Sequence, residues 1–461
     1  LGGIFPLRAY IVVDLGFGDC GKGLLTDFLA RHLGAGVVVR YNGGAQAGHN
    51  VIAPDKRHHT FSQFGSGTFV PGVKTYLSKH VVIHPGALLV EGDILKRMGV
   101  RDVFSRIRLS DQALIITPFH QAANHIREIA RGENRHGSCG VGVGEAVEDA
   151  RLNFADCIVA GDLSNLPKLR RKLRSLREFK REQLAGLCKD KSPGEALASE
   201  WAIFEREDMI DSWISAIARV GELGLVVSDS VLQRWLNQAE TVIFEGAQGV
   251  LLDENAGFHP FTTWSRCTAT NAYDLVQELA SDSQVFQIGV MRSYAVRHGP
   301  GPLPTETDDL TAIVSEHNHY NEWQGAVRYG WFDAVLARYA LDVAGRVDSL
   351  VVSHLDILSH QKRWIYCPGY KAPLDFDKTF VGSAISEGVL SSFHLPLFLP
   401  LEQREKFTQA LSKVTPVLES CDTGDGEVIQ KIESLLGQSI GMISRGPSAK
   451  DIKIINALPF S

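Results

Sequence analysis

The stretch from residue 10 to residue 40 constrains this chain more than any other. Residues 10–13 are a short strand-forming run, 14–23 are rich in glycine, 24–33 space their apolar residues as a helix does, and 37–40 read as a buried strand. Strand, loop, helix and strand in that order predict a parallel βαβ unit. The alternation continues, with strands expected at 241–245, 287–291, 349–353 and 440–444 and helices at 121–131, 332–343, 401–411 and 426–436. Residues 137–144 hold four glycines in eight positions and predict a special loop. Residues 165–240 are charged and periodic, strongly basic at 168–181, and predict a solvated helical insertion rather than a nucleic-acid surface. The fold expected is α/β: one central, mostly parallel sheet with a P-loop-like nucleotide site and helical insertions. The chain reads as a single domain over 1–461 with its helical insertion around 165–240.

Composition narrows the function classes. A net charge of −6 gives no electrostatic reason to expect nucleic-acid binding. Apolar runs such as 11–13 and 37–39 are far too short to span a bilayer, so no membrane partner is expected. The seven cysteines include no C-x-x-C pair, which argues against a zinc or redox motif. Their odd number and the lack of a signal peptide predict a cytoplasmic protein.

Two segments carry candidate chemistry. The first is Gly16-Phe17-Gly18-Asp19-Cys20-Gly21-Lys22-Gly23. A glycine loop between strand and helix lets backbone N–H groups approach phosphate oxygens, and the helix N-terminus adds a positive field. Lys22 is placed to reach the same phosphates. Gly23 stands where a P-loop has Ser or Thr, so Asp19 is the expected oxygen donor to magnesium. The plainer alternative is a glycine-rich structural turn. The second segment, Arg40 to Asn50, follows the second strand, and its loop is expected on the same sheet edge, bringing His49 towards Asp19 as an acid–base pair.

Together the two segments resemble the adenylosuccinate synthetase family, whose members carry G-D-E-G-K-G-K and then G-G-x-N-A-G-H. Here the strings are Gly18-Asp19-Cys20-Gly21-Lys22-Gly23-Leu24 and Gly43-Gly44-Ala45-Gln46-Ala47-Gly48-His49. Further matches follow in family order: Phe244-Glu245-Gly246-Ala247-Gln248-Gly249 with Leu251-Leu252-Asp253, Gly301-Pro302-Leu303-Pro304-Thr305-Glu306, Gly330-Trp331-Phe332-Asp333-Ala334-Val335, and Ile443-Ser444-Arg445-Gly446-Pro447.

The resemblance implies a GTP-dependent ligase that phosphorylates O6 of inosine monophosphate or a related purine nucleotide and replaces that oxygen with an amine. It implies that Asp19 takes the purine N1 proton and binds Mg2+, that His49 acts as the acid, that Lys22 neutralises phosphates and that Gln248 holds the nucleotide. Gly18, Gly21, Gly23, Gly48, Asp356, Ser444, Gly446 and Pro447 are the implied nucleoside-triphosphate contacts, the Gly48 carbonyl being the second metal contact. Gln46, Ser138, Cys139, Leu252, Thr263, Arg297 and Arg328 are the implied contacts to the purine nucleotide and the amine donor. A homodimer is implied as well.

The departures are specific. Cys20, Gln46 and Cys139 replace a glutamate, an asparagine and a threonine, and the family's T-K-L-D becomes Ser353-His354-Leu355-Asp356, which leaves ATP open as donor. The family's T-T-G-R-x-R-R-x-G-W is here the segment from Asn321 to Trp331, which keeps only Arg328 of the groups that grip aspartate. Arginine forks are the natural partners of a dicarboxylate, so the expectation is a changed amine or amino-acid donor. The alternatives are a non-catalytic purine-nucleotide sensor, against which Asp19 and His49 argue, and a phosphotransferase that stops at the activated intermediate.

Overall fold

The computed structural model describes residues 6–132, 135–152, 154–187, 194–311, 314, 323–371, 385–386, 388–396 and 399–456. Ten strands form the main sheet: β1 (Arg8–Asp14), β2 (Val37–Arg40), β3 (Lys74–Leu77), β4 (Ile107–Ser110), β5 (Val226–Val227), β6 (Thr241–Glu245), β7 (Gln284–Arg292), β8 (Ser349–Ser353), β9 (Ile440–Ser444) and β10 (Ile452–Ile454). Their order across the sheet is β10-β9-β8-β7-β1-β6-β2-β3-β4-β5. Every neighbouring pair is parallel except β9 and β10.

The strands are apolar on both faces because both faces are covered. In β1, Ile11 and Val13 pack into one core with Val39 and Phe244, while Tyr10 and Val12 pack into another with Val38 and Ile243. The first helix, α1 (Lys22–His32), lies on the second of these faces through Leu25 and Leu29. Helices Pro118–Arg131, Leu166–Leu184, Glu195–Glu205 and Met209–Glu222 gather around a separate core containing Phe119, Leu173, Phe204 and Trp213. The glycine loop expected at 137–144 ends earlier, at the helix Val143–Arg151, and the helix expected from 332 starts at Ala334, because Phe332–Asp333 is a strand.

Strand order decides where a ligand sits. From β1 the chain moves outward to β2, β3 and β4 on one side; β7, β8 and β9 later build the other side, and β6 is inserted between β1 and β2. Such a reversal opens a crevice at the carboxyl ends of parallel strands. The residues ending β1, β2, β6, β7 and β8 are Asp14, Arg40, Glu245, Arg292 and Ser353, and these ends carry the site. Among the described residues no helix is long and apolar enough to cross a membrane.

Candidate active site

The glycine loop is organised by a residue that the sequence motifs left out. Asp14, the last residue of β1, is buried, and its carboxylate accepts the N–H groups of Gly16 (2.9 Å), Gly18 (3.3 Å) and Cys20 (3.0 Å). The Lys22 ammonium donates to the same carboxylate at 2.7 Å. Burial works against the Lys22 charge, but Asp14 outweighs it and raises the lysine's pKa. Lys22 was expected to be a cation available to phosphates; instead it is buried and countered within the chain. The signal for this was a lone carboxylate at the end of an apolar strand. Gly21 takes a left-handed conformation (φ 92°) and starts α1 without a side-chain cap, leaving the first-turn amides turned to the crevice edge.

Asp19 and His49, expected to face one site as base and acid, each have a partner of their own in the fold. His49 Nδ1 lies 2.6 Å from Glu245 Oε1. An ionised carboxylate only accepts, so Nδ1 carries the proton and Nε2 presents a lone pair. Ser66 donates to Glu245 through its backbone N–H at 2.9 Å and also through its hydroxyl. Burial and the Arg40 charge together pull His49 down to about 4, against the opposing pull of Glu245. Burial disfavours the Glu245 charge, yet His49, Arg40 and Ser66 hold its pKa below the ordinary range. Gly23 permits this pair: a Cβ there would stand 2.8 Å from His49 Cβ.

Asp19 instead meets His298, whose Nε2 is 2.7 Å from Oδ2. Burial opposes its charge, but the hydrogen bond and charge of His298, with Arg292 and Lys22, hold the carboxyl well below the usual range. Arg292 also donates from Nε to the Asp19 backbone oxygen at 2.6 Å. Asp19 belongs to the glycine loop itself and His49 packs against its Gly23, so both pairs border one loop. Neither Glu245 nor His298 had been singled out from the sequence. Glu245 carried a signal, a carboxylate closing a buried strand; His298 carried none.

Beside this loop lie two amide side chains. The Oε1 atoms of Gln46 and Gln248 are buried and have no hydrogen-bond partner among the described residues. A Cβ on Gly43 would stand 2.8 Å from Gln248 Oε1, and one on Gly44 would stand 2.9 Å from Gln46 Oε1, so both amides border one tight turn. Asn42 fastens the turn to the β6 loop, exchanging bonds with Ala247 at 2.7 and 3.0 Å. Unpartnered buried amide oxygens are costly in water-excluded surroundings and suit a ligand with polar edges.

The remaining expected residues distribute unevenly. Ser138 Oγ donates to Asn124 at 2.9 Å. Burial and then the Asp19 charge push the Cys139 thiol up to about 11, which brings its loop to the Asp19 side. Thr263 donates its backbone N–H to Leu252 at 2.8 Å, and both are half-buried. Gly48 and Asp356 are exposed. Ser353, two residues before the Leu355–His360 turn that carries Asp356, donates from Oγ to the Cys20 carbonyl at 2.8 Å. Ser444 Oγ donates to the Gly446 carbonyl at 2.9 Å, and Gly446 sits against Asp451 just before Pro447 ends the turn.

Arg297 and Arg328 depart most from expectation. They face each other across the antiparallel pair of strands Ala295–His298 and Val327–Gly330. Arg297 is buried and donates to the carbonyls of Pro300 (2.9 Å), Pro302 (3.1 Å) and Phe261 (3.2 Å), with its guanidinium 4.2 Å from the centre of the Phe17 ring. Burial, helped by Arg328, lowers it to about 9. Arg328 forks onto the Glu306 carboxylate and donates to the Gly299 and Gly301 carbonyls, each at 2.9 Å. Both were expected to meet substrate; Arg297 is structural, and the Arg328 fork is occupied by Glu306. Asn321 and Glu322, which open the donor segment, lie outside the described residues.

The residues suit magnesium in a specific way. This ion takes oxygen donors, keeps several waters and typically uses one or two carboxylates beside substrate phosphates. Asp19 offers an ionised, partly exposed carboxylate (29%), and the Gly48 carbonyl lies in an exposed turn.

Comparison with known proteins finds one family and its fold. The profile of the adenylosuccinate synthetase family matches residues 11–453. An adenylosuccinate synthetase of Pseudomonas fluorescens (strain SBW25) is 32% identical over 463 residues, covering 96% of this chain and 98% of the relative. One from Neisseria meningitidis serogroup C (strain 053442) is 29% identical over 449 residues, covering 97% and 98%. Among solved structures, the fully ligated Plasmodium falciparum adenylosuccinate synthetase superposes with a TM-score of 0.75 at 20% identity, covering 98% of this chain and 100% of that one. The succinoaminodeoxyadenylate synthetase of cyanophage S-2L, bound to dGMP and dATP as an energy donor, gives 0.58 at 16% identity, covering 98% and 96%.

Proposed function

Because this chain belongs to the adenylosuccinate synthetase family, we propose that it is a nucleoside-triphosphate-dependent C–N ligase acting on a purine nucleotide, with GTP as the phosphoryl donor. The observation that carries this reading is the ionised, half-exposed Asp19 carboxylate between a glycine loop and the unpartnered amides of Gln46 and Gln248.

In this reading Asp19 receives the N1 proton of the purine while O6 attacks the γ-phosphorus. The O6–P bond forms, the bond from phosphorus to the bridging oxygen breaks, and the nucleoside diphosphate leaves. The amine nitrogen then attacks C6. The C6–O bond breaks, phosphate departs with the electron pair, and the amine loses a proton. Asp19 ionises too readily to keep a proton at neutral pH, so it accepts one only in step with the attack of O6. His49 is neutral in the free protein; the charge of a bound triphosphate raises its pKa and lets Nε2 donate to the transferring oxygens. Gln248 and Gln46 orient the base, and the loop amides up to Gly23 hold phosphate. Asp19 and the Gly48 carbonyl would hold Mg2+, which supplies charge neutralisation on the phosphates.

Asp356 supports GTP, since an exposed carboxylate accepts two N–H bonds from guanine. The dATP-bound phage relative supports testing adenine donors as well. With Arg297 and Arg328 engaged within the chain, a donor amine other than aspartate is favoured. The same reading takes the chain as one domain with its helical insertion, acting as a cytoplasmic homodimer in purine biosynthesis.

Incubating the protein with Mg2+, GTP or ATP, and inosine monophosphate, with and without aspartate or other amines, tests this. Phosphate release that depends on the purine nucleotide, with a new ultraviolet product, is expected. Tight nucleotide binding with no release across the donor and amine panel would replace the ligase reading with that of a sensor.

A further inference from the structure

Asp19 is the residue on which the proposed chemistry depends, yet it sits on a loop in a left-handed conformation (φ 58°) that only a few residue types adopt readily. Its own side chain has a broad terminal torsion that does not select which oxygen faces a ligand. The surroundings supply that selection. Arg292 donates to its backbone oxygen at 2.6 Å, and His298 approaches Oδ2 at 2.7 Å.

His298 is itself held in place. It is the last residue of a strand whose preceding position, Arg297, ties the Pro300 and Pro302 carbonyls to Phe261 and lies over Phe17 of the glycine loop. Across the ladder, Arg328 fixes the Gly299 and Gly301 carbonyls and Glu306. Gly301 closes the arrangement: at φ 109°, a Cβ there would lie 2.2 Å from the Arg297 guanidinium. Two arginines that a dicarboxylate site would need for its substrate thus build a rigid arm with an imidazole at its tip. A rigid support of this kind fixes a reacting group far better than a loop alone.

We propose that His298 is a positioning residue that holds Asp19 at Oδ2 and so fixes the orientation in which its carboxylate meets the purine and its metal-bound phosphates. The proposal rests on the ligase reading of Asp19 given above. It assigns His298 no contact with substrate; its effect passes through the carboxylate alone.

The test compares H298A, H298Q, D19A and the double variant D19A/H298A, with thermal melting as a check on folding. Loss of orientation of a reacting group by about 1 Å costs on the order of 100-fold, so H298A is expected to lose about that much kcat with little change in KM for the purine nucleotide. The amide N–H of glutamine reaches the position of Nε2, so H298Q is expected to stay within about tenfold of the unaltered enzyme. Residues acting as a unit are not additive, so the double variant is expected to match D19A. Multiplying losses in the double variant, or an H298A enzyme with unaltered kcat beside a dead D19A, would overturn the proposal while leaving the ligase reading intact. A fully active D19A would remove both. Calorimetry of GTP with Mg2+ and with EDTA gives a readout without turnover: partners of metal-binding groups contribute about 10- to 100-fold to metal affinity, so H298A and D19A should each weaken the magnesium-dependent gain, and the double variant no further. An H298A protein that keeps the full gain while D19A loses it also overturns the proposal.

Discussion

Two carboxylate–imidazole pairs lie on either side of the glycine loop, built from the same chemistry and set in opposite surroundings. Glu245 and His49 are 0% and 5% exposed, whereas Asp19 and His298 are 29% and 21% exposed. In the buried pair, desolvation keeps the imidazole neutral, and the carboxylate is satisfied by Ser66 as well as His49. Removing one member leaves a buried charge or a lone polar group, so the pair is bound up with folding. In the open pair water is an alternative partner for each group, so its integrity matters less to stability and more to what it can present to a ligand. The difference teaches that burial sets what such a pair contributes to the fold: the enclosed one ties loops together through His49 Nδ1 while leaving Nε2 to the site, and the half-open one adds less to stability.

Substitutions can break this contrast. D19N, which keeps a residue type at home in the left-handed conformation, is expected to lower turnover by about 10²–10⁴ at a smaller cost in stability than the buried pair would show, measured by initial rates and urea unfolding. E245A should reverse the emphasis, losing stability because the His49 and Ser66 donors are stranded in the interior at about 1–3 kcal/mol each; equal unfolding midpoints for the two variants would erase the distinction. The pH dependence sharpens it. His49 stands near 4 in the fold against an ordinary value of 6.5, so the unfolded chain binds a proton that the folded one refuses between those values. Its stabilising contribution is complete above about pH 6.5 and is lost as pH falls towards 4, on the order of 3 kcal/mol in all. Melting curves should show that loss in the unaltered protein and a shallower one in H49N. The smallest effect belongs to E306Q, a half-exposed partner of Arg328, where a stability change under about 1 kcal/mol is expected.

Much of the scaffold was legible because it repeats simple periods. The runs at 37–40, 241–245 and 349–353 are strands with the expected bounds, and the helix at 401–411 is likewise as expected. The position of β6 between β1 and β2 was not legible, since pairing of parallel strands far apart in sequence leaves no local mark. Hence the partner of His49 was not foreseen: β6 lies between β1 and β2, and its terminal Glu245 holds the imidazole at Nδ1. Arg297 was misassigned for a related reason. A charged residue beside a glycine–proline loop looks like a ligand contact, and only the folded loop shows that three carbonyls converge on it. Asp14 and Glu245 share a cue that sequence does offer, a carboxylate at the last position of an otherwise apolar strand.

The insertion of β6 sets an order of events during synthesis. The glycine loop leaves the ribosome early, but the neighbours that β1 needs on its two flanks, β6 and β7, begin at residues 241 and 284. Until the residues of β6 and β7 have emerged, β1 has no neighbour to pair with. A nascent chain therefore carries its glycine loop unsupported until those late strands arrive.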